Sequence, residues 1–397
     1  LFLSSIISYL STFLLYIHGM GKRLPEIKQR EDGRYEIKVT VGRNKRRSVY
    51  GKTEAEVRKK ARQLLEEATK FNLSNISKMT VRTYMTNWLL TVKKPDLKPG
   101  SYDRVEQSVN YQILPYIGDI QISALNANDI QNMINELLVK LSYSTVKKAY
   151  NNLNACMELA VIRGEIVKNP VKGVRLPSAK NKEKKNVTAY TPEEIAAIVE
   201  EAKRTYSNGA PAYRYGYLII LLLNTGMREG EPLYLKWEDV DLEKRRLYVH
   251  GNVVEVKNRE KNAASKYVII EQETPKTDKS TRYIPLNDNA IDALEHLRSI
   301  IRDNHHVIAT KNHTLVSPRK VYKTMESILD RCGITDKTNL VHALRHTFAT
   351  TLIRNGTDIK VVSEILGHED VSTTLKVYHH VVDEQKESAV TQLDNLY

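Results

Sequence analysis

The chain has 397 residues, of which 41% are hydrophobic and 7% aromatic. A chain of this length is too long to fold around a single small hydrophobic core, so we expect a folded protein of two or three domains. The formal net charge of +14 favours a polyanionic partner, either nucleic acid or an acidic membrane surface. Cys156 and Cys332 have no neighbours at metal-ligand spacing, which argues against a cysteine-based metal site and predicts reduced, structural thiols in a cytoplasmic protein.

The N-terminal segment, residues 1–19, is apolar and contains no Lys, Arg, Asp or Glu. Its run of 17 residues, LFLSSIISYLSTFLLYI, is at the short limit for a membrane span. The run lacks the leading positive charge and the small-residue cleavage site of a secretory signal. Because Met20 stands directly before basic sequence, we expect translation to start there and residues 1–19 to be untranslated. A genuine N-terminal membrane anchor is the alternative.

Residues 20–72 predict a small basic domain made of a β-sheet and one helix. GRYEIKVTV alternates polar and apolar residues as a half-buried strand does, and RRSVYG returns after a turn. Thr53 and Glu56 form a capping box that begins a helix. Residues 21–70 hold 16 Lys and Arg against 8 Asp and Glu, a net charge of +8. A β-ribbon fits the DNA major groove, so the sheet is a candidate DNA-binding surface, with a merely solvated basic face as the alternative. The candidate DNA contacts are Arg34, Lys38, Arg43, Lys45, Arg46 and Arg47.

Residues 79–170 predict an all-helical domain. The spacing of apolar residues indicates helices at 80–92, 101–113, 126–140 and 144–163. Asn169-Pro170 ends the helical part, because the residue before a proline avoids the α region. The candidate contacts to backbone phosphates are Tyr102, Arg104, Lys147, Lys148 and Arg163, although each one alone is more typical of an ordinary surface residue.

Residues 171–190 predict a linker, since the segment is polar, rich in lysine and poor in apolar residues. Its six Lys and Arg suit a strap that lies along a phosphate backbone. The candidate DNA contacts in the linker are Lys180, Lys182, Lys184 and Lys185.

Residues 191–397 predict a mixed α+β domain that is mainly helical. Thr191, Pro192 and Glu194 supply the cap, the first-position proline and the capping glutamate of an opening helix. Helices follow at 193–203 and 213–224, then a β segment at about 246–285 that KNREKNAAS interrupts. Helices return from residue 287 to the C-terminus.

Six residues of this last domain stand in distinctive local contexts. They are Arg228 in TGMREGE, Lys276 in PKTDKSTRYIP, His342 and Arg345 in HALRHT, His368 in LGH and Tyr378 in LKVYHH. A tyrosine can attack a phosphodiester, and two planar guanidiniums are suited to hold the charge that develops on its oxygens. A lysine whose pKa nearby arginines lower can protonate the leaving 5′ oxygen. The set predicts DNA strand cleavage that needs no metal and no cofactor, because side chains supply the positive charge.

Local context supports these assignments. An apolar helix ends at Thr225-Gly226 and aims Arg228 from a buried scaffold, while Glu231 can orient its guanidinium. His342 and Arg345 are three residues apart and share a helix face. Lys276 precedes a turn and is expected at a hairpin tip.

Each motif alone is weak, and the order of all six carries the prediction. A lone arginine after Thr-Gly or a tyrosine near a C-terminus usually has a structural role. Lys279 is the alternative candidate for the proton-donating lysine. His346 lies near His342 and Arg345, and His379 follows Tyr378, so either imidazole can be mistaken for the functional one.

The sequence resembles the tyrosine recombinase family of integrases. The matching stretches are LLLNTGMREGEPLYLKWEDVDL, TPKTDKSTRYIPL, HALRHTFATTLIRNGTDIKVVSEILGHEDVSTTLKVYHHV and the helical unit from residue 80 to 170. The basic N-terminal sheet looks like the arm-binding domain of phage and conjugative-transposon integrases. Ala343 stands where the family often has Asp, and Pro232 where it usually has an aliphatic residue, and neither departure removes a catalytic group.

The resemblance implies a multidomain fold: a small β-sheet plus helix domain for arm DNA, an all-α core-binding domain and a mixed, mainly helical catalytic domain. It implies that Arg228 and Arg345 clamp the scissile phosphate and that Lys276 protonates the leaving oxygen. His342 and His368 would hydrogen-bond the phosphate or assist proton transfer at the tyrosine, and Tyr378 would form a 3′-phosphotyrosine. The expected partners are double-stranded DNA with core and arm sites, three further protomers in a tetramer, and an accessory excision factor or host DNA-bending protein.

The leading hypothesis is therefore a site-specific recombinase that integrates and excises a mobile element. A tyrosine-type topoisomerase shares the chemistry, but a domain that resembles the arm-binding type argues for defined sites. A catalytically inactive DNA-binding regulator is the non-enzymatic alternative, and the complete set of six residues argues against it.

Overall fold

A computed structural model describes residues 26–42, 45–77, 79–177, 189–260, 262–273, 281–372, 374–375 and 377–378. The chain divides into two compact units, Leu1–Lys182 and Glu183–Tyr397. The N-terminal run 1–19 and most of the linker, residues 178–188, lie outside the described residues. Among the helices that are described, each is too short or too polar to cross a lipid bilayer.

The described part of the first unit begins with a three-stranded antiparallel sheet and a helix. Its elements are β1 (Lys28–Gln29), β2 (Tyr35–Gly42), β3 (Lys45–Gly51) and α1 (Glu54–Ser77). β2 is the central strand, with β1 and β3 on either side. Ile37 and Val39 are buried and pack with Val57 and Ala61 of α1, which confirms the half-buried strand predicted from the alternation. The amide of Glu56 donates to Thr53 Oγ1 at 3.2 Å and caps α1.

The rest of the described first unit is helical, as the apolar spacing predicts. Its α-helical elements are α2 (Val81–Trp88), α3 (Lys94–Asp96), α4 (Pro99–Ser108), α5 (Leu114–Ile117), α6 (Ala127–Lys140) and α7 (Tyr143–Ile162). π-helical turns at Leu89–Lys93 and Val109–Ile113 join α2 to α3 and α4 to α5, and no sequence pattern indicated them. Asn169 Oδ1 accepts from Val171 N at 3.0 Å and begins a 3₁₀ turn at Pro170–Gly173.

One residue of this unit corrects a sequence expectation. Tyr102 is 4% exposed and belongs to the hydrophobic core, so it is not a surface contact to DNA. Its position in α4 places it among the apolar residues that make that helix amphipathic, and this packing explains the burial.

The described part of the second unit combines helices with two small sheets. Its elements are α8 (Pro192–Ala202), α9 (Gly216–Thr225), α10 (Glu231–Tyr234), β4 (Val240–Asp241), β5 (Arg246–Val249), β6 (Asn252–Lys257), β7 (Tyr267–Gln272), β8 (Arg282–Pro285), α11 (Asp288–Ile301), α12 (Pro318–Arg331), α13 (Leu340–Arg354) and α14 (Ile359–Leu366). The helix predicted at the opening is confirmed, with Thr191 Oγ1 accepting from Glu194 N at 3.2 Å. α9 is buried along most of its length in the main core, which fits its uninterrupted run of apolar residues.

The predicted β segment is divided between two sheets. β5 pairs with β4 and β8 in one sheet, whereas β6 and β7 form a separate antiparallel pair. In the described residues β7 and β8 pair with different strands. Lys276, which the sequence places at a hairpin tip, lies outside the described residues.

Candidate active site

Arg228 lies directly beyond the C-terminus of α9, at the helix break expected from Thr225-Gly226. Gly226 has φ +62°, and a Cβ at this position would lie 2.4 Å from Phe348 Cδ1, so the close turn requires glycine. The backbone N of Arg228 and its Nη1 donate to the two carboxylate oxygens of Glu231, each at 2.8 Å. Glu231 thus fixes both the backbone and the guanidinium of Arg228, as the spacing predicted.

Glu231 also accepts from a second arginine. Arg282 on β8 donates from Nη2 and Nη1 to Oε2 and Oε1 of Glu231, at 2.9 and 3.2 Å. Burial by itself would raise the pKa of the Glu231 carboxyl, but the charges of Arg282 and Arg228 hold it below its ordinary value. The carboxylate therefore stays ionised between two guanidiniums.

Arg345 is buried, and its guanidinium lies beside that of Arg228. Its Nη1 donates to Gly226 O at 2.8 Å and its Nη2 to Leu366 O at 2.7 Å, while Arg228 Nη2 donates to Gly367 O at 3.2 Å. The two arginines thus hold consecutive carbonyl groups at the end of α14. Burial, followed by the charge of Arg228, lowers the pKa of Arg345 to about 9, and the group remains protonated at neutral pH.

The two histidines of the predicted set face the same arginines. His342 lies on α13 with part of its surface exposed, and its pKa is lowered by the burial of its ring and then by the charges of Arg345 and Arg228. His368 follows Gly367, and its Nδ1 lies 2.7 Å from Oγ1 of the buried Thr374. Burial and the neighbouring arginine charges lower the pKa of His368 to about 4, so its ring is neutral at physiological pH.

Tyr378 is 3% exposed and packs in an apolar cluster with residues of α13 and α14. Its hydroxyl lies 3.0 Å from Nδ1 of His346, and the ring of His346 meets that of His342 edge to face at 4.8 Å. Burial raises the pKa of the Tyr378 phenol to about 12, an increase that the charge of Arg345 moderates.

The structure therefore brings five of the six predicted residues together: Arg228, His342, Arg345, His368 and Tyr378. Lys276 and its competitor Lys279 lie outside the described residues. Ala343 and Pro232, the two departures from the family pattern, are buried next to site residues and present no charge to the site.

The candidate DNA-binding residues stand in different environments. Lys38 and Arg46 are exposed on the face of the N-terminal sheet opposite α1, and Lys147 and Lys148 are exposed on α7. Arg34 forms an ion pair with Asp32 at 2.6 Å. Arg47 is exposed but pairs with Val39, on the face of the sheet that α1 covers. Arg43, Lys180, Lys182, Lys184 and Lys185 lie outside the described residues, as does the side chain of Lys45.

Three functional-site residues were not identified from sequence. Arg282 is the first residue of a strand in which Arg282 and Ile284 are buried and the residues between and after them are exposed. An arginine on the buried face of a strand indicates an internal ion pair, and this was the available signal. His346 lies four residues after His342 on one helix face, and Thr374 gave no signal.

Comparisons with known proteins agree with this geometry. Residues 189–385 match the phage integrase family, and residues 80–138 match the N-terminal SAM-like domain of phage integrases. A tyrosine recombinase XerC-like protein of Caldanaerobacter subterraneus subsp. tengcongensis is 30% identical over 402 residues, covering 95% of this chain and 100% of that protein.

Two solved structures share the fold. A fragment of the Tn1549 transposon integrase, in complex with transposon right end DNA, aligns with TM-score 0.65 and 21% identity over 80% of this chain and all of that one. A lambda integrase tetramer bound to a Holliday junction aligns with TM-score 0.59 and 18% identity over 88% of this chain and 97% of that one. By its sequence and its fold, the chain belongs to the tyrosine recombinase family of phage integrases and is a DNA strand-transferring enzyme that acts at specific sites.

Proposed function

We propose that this recombinase integrates and excises a mobile genetic element. The observation that carries the proposal is the convergence of Arg228 and Arg345 on the carbonyls of Gly367 and Leu366, next to His368. Two guanidiniums at one point suit a phosphate, and a tyrosine lies in the same unit. The Tn1549 transposon integrase and the lambda integrase share the fold, and the first acts on a transposon, which supports a mobile element as the substrate.

The reaction proceeds as two phosphoryl transfers. Tyr378 Oη attacks the scissile phosphorus, the bond to the 5′ oxygen breaks, and a 3′-phosphotyrosine forms. Arg228 and Arg345 hold the non-bridging oxygens, where negative charge increases in the transition state. Lys276 donates a proton to the departing 5′ oxygen, and His342 and His368 hydrogen-bond the phosphate. A 5′ hydroxyl of the partner strand then reverses these steps, and the phosphoester energy is conserved.

The other parts of the chain deliver this site to DNA. Residues 20–72 bind arm sites, residues 79–170 bind the core site, and the basic linker, residues 171–190, binds the DNA phosphate backbone. Four protomers act on one junction, a state supported by the lambda integrase tetramer on its Holliday junction. An accessory excision factor or a host DNA-bending protein selects the direction of recombination.

A nicked duplex that contains the core site tests the proposal. The nick lets the short 5′-hydroxyl strand diffuse away, so the covalent complex accumulates. We expect the wild-type chain to form one covalent adduct at a single position and Tyr378→Phe to form none. Relaxation of plasmids without site preference would indicate a topoisomerase instead, and DNA binding without any adduct would indicate an inactive regulator.

A further inference from the structure

The hydroxyl of Tyr378 has a specific partner that the six-residue set does not include. Nδ1 of His346 lies 3.0 Å from Tyr378 Oη, within hydrogen-bond distance. His346 is on α13, one residue after Arg345 and one turn after His342. The helix that supplies one phosphate-binding arginine therefore also places an imidazole nitrogen at the nucleophile.

The direction of this hydrogen bond follows from the two groups. Tyr378 is buried against apolar side chains, which disfavours the phenolate and keeps the hydroxyl protonated at rest. In the neutral Nε2–H tautomer of His346, Nδ1 is an acceptor, so the phenol donates to it. A base in this position can receive the proton as soon as the phenol oxygen begins to bond to phosphorus.

The other histidines are less suited to this step. His368 Nδ1 is 2.7 Å from Thr374 Oγ1, so that nitrogen is engaged elsewhere. His342 meets the ring of His346 edge to face rather than the hydroxyl of Tyr378. The charged group that acts on Tyr378 is Arg345, from the same helix as His346 and His342.

We propose that His346 is the general base that accepts the Tyr378 proton during strand cleavage and returns it during ligation. The inference rests on the proposed function. In cleavage, the O–H bond of Tyr378 breaks while its oxygen bonds to phosphorus, and Nδ1 of His346 takes the proton to become an imidazolium. The P–O5′ bond breaks, and the 5′ oxygen is protonated separately by Lys276. In ligation the 5′ hydroxyl attacks phosphorus and returns its proton to Lys276, while the tyrosyl oxygen leaves and takes a proton from the imidazolium of His346.

The test compares His346→Asn with the wild-type chain in single-turnover cleavage of the nicked core-site duplex. Asparagine places an acceptor oxygen near the position of Nδ1 and keeps the hydrogen bond to Tyr378, but it cannot act as a base. We expect cleavage to fall by roughly 10²–10⁴-fold, the usual contribution of a positioned base, with DNA binding unchanged. His296→Asn, which makes the same change at an exposed position of α11, is expected to cleave at the wild-type rate.

The pH profile separates a base from a positioning residue. If His346 is the base, His346→Asn cleavage should rise about tenfold per pH unit as hydroxide replaces the lost imidazole, whereas wild-type cleavage should level off once the ring is neutral. Parallel profiles for the two proteins, or His346→Asn cleavage within threefold of wild type, would overturn the proposal while leaving the recombinase function intact. Absence of a Tyr378 adduct in the wild-type chain would refute the proposed function and this inference together.

Discussion

Glu231 and Arg282 form a buried ion pair, with 2.9 Å between Oε2 and Nη2 and 6% of each side chain exposed. Arg282 also donates from Nε to Ile365 O at 2.6 Å, and a Cβ on Gly367 would lie 2.9 Å from Arg282 Cδ. The pair therefore joins three distant parts of the chain: the turn that carries Arg228, strand β8 and the helix end that precedes His368.

Glu231→Gln should destabilise the second unit substantially. The substitution leaves the guanidiniums of Arg282 and Arg228 without their shared carboxylate, and breaking a buried pair costs about 3–5 kcal/mol. Urea denaturation followed by tryptophan fluorescence measures the change. Glu238→Gln is the matched control, because Glu238 is 72% exposed and lies 3.9 Å from Lys236. It should cost less than about 1 kcal/mol, and equal losses for both variants would contradict this account.

Arg345→Ala should severely impair cleavage and leave binding to the core site nearly unchanged. Loss of one transition-state donor costs about 3–4 kcal/mol in the barrier, or roughly 10²–10³-fold in rate. Arg345→Lys should also be severely impaired, since an ammonium cannot hold Gly226 O, Leu366 O and a phosphate in one plane. Single-turnover cleavage and gel-shift binding are the measurements. Arg354→Ala, an exposed change near the end of the same helix, should cleave normally, and equal loss of binding and cleavage in Arg345→Ala would refute the assignment.

Stability should fall in mild acid partly because of His368. Its pKa in the fold, about 4, lies below the unfolded value near 6.5, so between these pH values the unfolded chain binds more protons. The free energy of unfolding therefore decreases as pH falls from about 6.5 towards 4. For one partly exposed ring this is about 1–2 kcal/mol between pH 6.5 and 5. His368→Asn should show a smaller loss over this interval in denaturation at the two pH values, and an identical loss would show that His368 is not responsible.

The N-terminal sheet should contribute charge-dependent DNA binding. Lys38 and Arg46 are exposed on the same face, opposite α1. The double change Lys38→Glu with Arg46→Glu should weaken arm-site binding and reduce the slope of log K against log salt by about 2, one for each lost phosphate contact. Lys59→Glu with Arg62→Glu makes the same charge change on exposed positions of α1 and should alter the slope less. Equal changes in the salt slope for both double variants would indicate that the net charge of the domain, and not this face of the sheet, determines DNA binding.

Deletion of residues 21–70 should spare cleavage of the core-site duplex and impair complete recombination. The proposed catalytic residues lie in the second unit, whereas the deleted segment has its own small core around Ile37 and Val57. Recombination between plasmid-borne sites, compared with cleavage of the nicked duplex, provides the measurement. Undiminished recombination by the truncated chain would contradict the arm-binding assignment.

Local signals in the sequence predicted much of the fold. Alternation over β2 and the cap at Thr191 depend on neighbours within a few residues, and both are confirmed. The π-helical turns at Leu89–Lys93 and Val109–Ile113 were missed because an extra residue per turn leaves no distinct apolar pattern.

Contacts in the candidate site could be predicted from sequence where both partners lie within one short motif. Arg228 and Glu231 are three residues apart, so their contact was foreseeable from the turn. Arg282 reaches Glu231 across 51 residues, and His346 reaches Tyr378 across 32, so each contact depends on tertiary packing. From sequence alone, Arg282 beside a basic turn and His346 beside the His342 motif are most simply explained as solvent-exposed side chains. Their roles become apparent only when the tertiary partner of each is located.

The carbonyls of Leu366 and Gly367 are neighbours in the chain, yet each restrains a different guanidinium. Any displacement of this one helix end must misalign both arginines simultaneously. A shift of the end of α14 is therefore expected to disturb both guanidiniums together rather than one at a time.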